Sequence, residues 1–69
     1  MRLVSKAIVN SLSDEIGVMV LELEDCTRWS MVDRPPNTVQ GETAHVYGDG
    51  RKYYVQFGKR AKKYVVDEM

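Results

Sequence analysis

The chain has one cysteine, Cys26, and one histidine, His45. A single thiol cannot close an internal disulfide, which excludes a small scaffold stapled by such bridges. One thiol and one imidazole also fall short of the ligand set of a zinc site. The acidic group Glu22, Glu24 and Asp25 lacks the spaced oxygen ligands and mid-loop glycine of a calcium loop. Neither GxGxxG nor GxxxxGK[ST] occurs, so no phosphate-cradling loop is expected. The longest apolar run, Val18 to Leu21, is far too short to cross a bilayer, and Met1 leads into no charged-then-apolar leader pattern. The expectation is a cytoplasmic, reducing location without membrane attachment.

Scarcity of reactive groups also argues against catalysis. Nucleophilic chemistry needs a nucleophile beside a base, with a third group orienting that base. His45 stands two residues from Tyr47 in an alternating stretch, which gives both the same face and suits a surface or half-buried residue. Cys26 follows Glu24 and Asp25, whose charges oppose thiolate formation, and a small apolar filler is expected there. The chain therefore reads as a binding protein, not an enzyme, with no cofactor and no metal.

What is present is enough to fold. Hydrophobic residues make up 43% of the 69 and charged residues 29%, which suits an ordered domain and not a disordered one. A chain this short makes one domain, 1–69, and buries only about 60% of its unfolded surface, which leaves a small core. Formal net charge is zero, so no overall field draws in a polyanion. The charge is unevenly placed: acidic side chains outnumber basic ones before residue 33, and the reverse holds after it. Between Arg51 and Lys63 the only charged residues are basic.

Short runs rich in Val, Ile, Tyr and Thr, punctuated by Gly, Pro, Asn and Asp, predict consecutive strands. The spans are Val4–Ser11, Ile16–Glu24, Arg28–Val32, Thr43–Tyr47, Lys52–Phe57 and Lys62–Val66. The first span also fits a helical stripe through Val4, Ile8 and Leu12, so an N-terminal helix, making the fold α+β, stands as its alternative. Turns are expected at Ser13–Glu15, Glu24–Thr27, Gly48–Gly50 and Gly58, and a surface loop at Asp33–Gly41, stiffened by Pro35 and Pro36. Five or six short antiparallel strands bury one face and reduce exposed edges by curling up. The fold class is all-β, a small five- or six-stranded antiparallel barrel, SH3-like or OB-like.

The constellation with most content runs from Arg51 to Tyr64. Cations neutralise phosphates, and exposed rings stack on bases whatever the sequence. Lys52, Tyr54 and Gln56 share one face, and Lys59, Arg60, Lys62 and Lys63 follow, which makes a basic-aromatic strip for nucleic acid, RNA or DNA. Tyr54 is the expected stacking residue and Gln56 a hydrogen-bonding one, while Tyr53, Val55 and Phe57 point to the core. The alternative is a protein-interaction module or inhibitor that docks on a larger protein through Trp29, Arg34, Pro35 and Pro36, since Trp and Arg are enriched at interface centres and a stiff loop loses little entropy on docking. In the bland version of the alternative, Trp29 and Met31 are simply core. A homodimer through an unpaired edge strand is compatible with either.

Overall fold

The computed structural model describes residues 2–35 and 37–69. Six strands follow one another: β1 (Arg2–Glu15), β2 (Val18–Leu23), β3 (Arg28–Met31), β4 (Thr43–Asp49), β5 (Lys52–Phe57) and β6 (Lys63–Glu68), with a 3-10 turn at Asn37–Val39. They form a closed barrel in the order β1-β2-β3-β6-β5-β4, and every pairing is antiparallel. The barrel is thus two three-stranded meanders sealed by β3 against β6 and β1 against β4. This is the all-β small barrel expected from the sequence.

The first span is strand, not helix, and the reason it mimics a helix is visible in its register. Residues 2–8 of β1 pair with β4, whereas residues 9–15 pair with β2, so one long strand serves both meanders. An extra residue, Asn10, interrupts the β1–β2 pairing, and another, Val4, interrupts the β1–β4 pairing. Such bulges bend a strand and reset its alternation. Ala7, Val9 and Leu12 all lie at the core, spaced by two and then by three residues, and the second step is what a helical period resembles.

Turn chemistry corrects two boundaries. Ser13, Asp14 and Glu15 remain paired to β2, and the reversal falls at Ile16-Gly17, both with positive φ (45° and 82°) as a type I′ turn requires. Gly48 and Asp49, expected in the next hairpin turn, are strand residues, and the reversal falls at Gly50-Arg51. Gly48 has a different task. A Cβ there would stand 2.9 Å from Val4 Cγ2, so the missing side chain admits the bulge of β1.

The core is built from Val9, Met19, Leu21, Leu23, Trp29, Met31, Val39, Ala44, Val46, Val55, Phe57, Tyr64 and Val66. Each large aliphatic or aromatic side chain among them contributes about 1.5–3 kcal/mol when buried. Trp29 meets Tyr53 at 5.3 Å between ring centroids, and Phe57 meets Tyr64 at 5.7 Å, both pairs tilted as ring quadrupoles favour. The Asp33–Gly41 segment is not merely a surface loop. Its 3-10 turn delivers Val39 to the core, and Pro35 is buried as well. Backbone bonds from Gly41 N to Val9 O and from Val9 N to Glu42 O tie this segment to the middle of β1.

Candidate nucleic-acid interface

Because Ala44, Val46, Val55, Phe57, Tyr64 and Val66 point inward, their neighbours in β4, β5 and β6 point outward. The registers then assemble two rows that run across the strands. In the first row Leu3 of β1 faces Tyr47 of β4, Tyr47 faces Tyr54 of β5, and Tyr54 faces Val65 of β6. In the second, Lys6 faces His45, His45 faces Gln56, and Gln56 faces Lys63. One row carries rings between aliphatic ends, and the other carries polar groups between two lysines.

The two rows touch through their aromatics. His45 and Tyr47 lie nearly parallel, with ring centroids 6.4 Å apart and planes at 16°. Both rings and Tyr54 are half-buried, edged by neighbours yet reachable from solvent, while Lys6, Lys52 and Lys63 are exposed. Leu3 and Val65 remain 51% and 50% exposed, a large apolar display for residues at a face of the barrel. Carboxylates are present at the margins: Asp49 opposes Lys52 across the β4–β5 hairpin, and Asp67 lies further along β6.

The structure divides the expected strip. Lys52, Tyr54, Gln56 and Lys63 share this face, and Lys59 is exposed in the turn that follows β5. Arg60 is engaged elsewhere: its guanidinium donates to Glu42 Oε2 at 3.0 Å and to Thr38 Oγ1 at 2.9 Å, pinning the 3-10 turn to the β5–β6 connection. Lys62 places Nζ 5.0 Å from the ring centroid of Tyr64, a core residue, and so covers the core instead of joining the rows. Gln56 donates from Nε2 to the Arg60 carbonyl at 2.7 Å, so its amide nitrogen holds the turn.

Three residues enter that the basic strip did not include. His45 and Tyr47 were legible from alternation, which gives both the outward face. Lys6 was not, since it joins the row only through the β1–β4 pairing, 39 residues away in the chain from His45.

The Trp29–Pro36 segment is arranged differently from a docking loop. Trp29 is 2% exposed and donates Nε1–H to Thr27 Oγ1 at 3.1 Å. Its alternation with Met31 sends both inward, because a small barrel needs its largest apolar side chains in the core. Pro35 is buried, Arg34 is paired with Asp14, and Pro36 lies outside the described residues. Each described strand pairs with two others in the closed barrel, so none is a free edge over its whole length, and the two halves of β1 pair on one side each. Cys26 is exposed in the β2–β3 turn at φ 70°, which corrects its reading as an apolar filler.

That turn is organised by Asp25. Its carboxylate accepts the Ser5 hydroxyl at 2.6 Å, the Thr27 hydroxyl at 2.5 Å and the Thr27 amide at 3.1 Å. The Ser5 hydroxyl, then that of Thr27, holds the Asp25 carboxyl below the usual carboxylate range. With Trp29 bonded to Thr27, one chain of hydrogen bonds links β1, the turn and the core. No helix among the described residues is long and apolar enough to cross a membrane. Comparison with protein-family models, with curated proteins and with solved structures returned no match.

Proposed function

We propose that this barrel is a cytoplasmic accessory or regulatory protein, without enzymatic activity or cofactor, that binds nucleic acid through the outer face of β1, β4, β5 and β6. The observation that carries the reading is the cross-strand row of Tyr47 and Tyr54, flanked by His45, beside lysines contributed by three strands, Lys6, Lys52 and Lys63. Half-exposed rings on a pleated surface offer faces on which bases stack, and the lysines offer charge to phosphates. The rows require no deep pocket, which suits a barrel whose interior is filled by side chains.

The test is a titration of labelled nucleic acid at several salt concentrations. Replacing Lys6 and Lys63 with Ala is expected to weaken binding and to flatten its salt dependence by about one logarithmic unit per lost phosphate contact. Arg60→Ala is expected to act through the lost ion pair with Glu42, lowering stability without removing a nucleic-acid contact. Unchanged binding by the Lys6, Lys63 double variant, folded by circular dichroism, would refute the reading.

A second reading, a protein partner, draws its support from the aliphatic ends of the ring row. Leu3 and Val65 are joined on the β3 side by Val32, which is 81% exposed and follows Met31, the partner of Val66. Apolar exposure of this kind is the property of protein contact surfaces. Under this reading Val32→Ser and Val65→Ser abolish capture of a specific protein, and the lysine substitutions leave it intact.

A further inference from the structure

We infer that the ligand of this face is a single strand, laid across the β-strands from β1 to β6 with its bases on the ring row and its backbone along the lysine row. The inference rests on the nucleic-acid reading and adds the class and direction of the ligand.

Geometry argues for it in three steps. On β1 the bulge at Val4 separates Leu3 from Lys6 by three residues, and on β4, β5 and β6 the ring row and the polar row lie two residues apart. At about 3.3 Å of rise per residue that is roughly 7 Å, a spacing that lets bases rest on one row while the phosphates of the same nucleotides reach the other. The rows themselves cross three gaps between strands and curve half-way round the barrel, since β1 lies opposite β6 in the ring, a path of about 14 Å at the usual inter-strand distance that has room for two or three nucleotides and no more. Finally, rings lying on the surface can meet only the faces of bases. In a duplex those faces are covered by neighbouring base pairs, and reading a duplex instead takes an element that enters a groove. The described residues form no α-helix, and the β4–β5 connection is the two-residue turn Gly50-Arg51.

Leu3 and Val65 close the two ends of the ring row and confine the stacked bases to Tyr47 and Tyr54. The polar groups in reach of base edges are few, chiefly His45 and Gln56, and Gln56 already spends its amide nitrogen on the Arg60 carbonyl. Binding is therefore tolerant of base sequence and sensitive to whether bases are present and unstacked.

The experiment compares four fluorescein-labelled probes of equal length by anisotropy: oligothymidylate, oligouridylate, a hairpin duplex and an abasic strand that keeps the phosphates. The expected result is binding to one or both single strands, with the duplex and the abasic strand weaker by about tenfold or more, as stacking of a base on a ring implies. Tyr47→Leu and Tyr54→Leu should erase most of the gap between oligothymidylate and the abasic strand while leaving abasic binding unchanged. Tyr54→Phe should restore the gap. A duplex or abasic strand that binds as tightly as the single strands overturns this inference and leaves nucleic-acid binding standing. Absence of binding to all four probes by the folded protein overturns both.

Discussion

Two residues carry backbone or electrostatic features that a substitution can isolate. Ile16 is β-branched, holds a φ of 45° and is 103% exposed, so it combines left-handed strain with no compensating burial. The left-handed conformation costs a residue with a Cβ about 1–2 kcal/mol, and Asn tolerates it better because its short polar side chain bonds locally. Ile16→Asn turns the reversal into Asn-Gly, the sequence type I′ turns favour, and should raise stability by about 1 kcal/mol. A urea melt checks this: the midpoint rises and the slope stays the same. Asp25 makes the second case. Its folded carboxyl lies below the usual range, so its charge contributes stability above the ordinary carboxylate pKa, and that contribution is lost as pH falls through the lowered folded value. Asp25→Asn should therefore lower the denaturation midpoint at neutral pH, and the gap to the natural protein should close as pH falls below the ordinary carboxylate range and through the lowered folded value. A gap that persists unchanged in acid would mean that charge is not what Asp25 supplies.

At the scale of elements, what decides the barrel is β1 and the two residues that interrupt it. Val4 bulges toward β4 at the point where Gly48 has no side chain. Gly48→Ala gains strand entropy, about 0.5–1 kcal/mol, but puts a methyl group against Val4 Cγ2, and overpacking of this kind costs about 1–3 kcal/mol. Val is stiff at χ1 and cannot easily turn away. The substitution should destabilise the natural protein and become neutral or stabilising when Val4→Ala is also present, a change of sign that a double-mutant cycle reads directly. The same bulges explain which parts of the fold were legible. The hairpin from Thr43 to Phe57 alternates without interruption, so its faces, and with them the outward Tyr54 and Gln56, follow from period two. Asn10 breaks that period in β1, and the helical spacing of Val4, Ile8 and Leu12 marks no buried face, since Val4 and Ile8 are exposed and Leu12 packs on the core. Lys6 and Arg60 depend on partners distant in the chain, His45 and Glu42, and no local pattern announces either contact. Val39 was hidden because one aliphatic residue among Pro, Asn, Thr, Gln and Gly reads as loop, whereas a small barrel uses it to complete its core.

The whole molecule has zero formal charge and yet two unlike faces. In the ring of strands β2 lies opposite β5, so Glu22 faces away from Tyr54 and Gln56. Asp14 and Glu15 lie at the far end of β1. The molecule measures 28 × 23 × 23 Å, which is more than two Debye lengths at about 0.15 M salt but less than one at about 0.01 M. A polyanion approaching Lys6, Lys52 and Lys63 therefore meets the lysines and the marginal Asp49 and Asp67 in physiological salt, and also feels the distant carboxylates when salt is low. Neutralising the remote carboxylate with Glu15→Gln should accelerate association with single strands at low salt and leave it nearly unchanged at physiological salt. Removing Lys63 should weaken binding in both conditions, because a contact charge is not screened by the intervening solvent. Stopped-flow association rates across a salt series separate the two behaviours. Equal acceleration by Glu15→Gln at all salt concentrations would place that carboxylate at the interface and move the binding face away from β5.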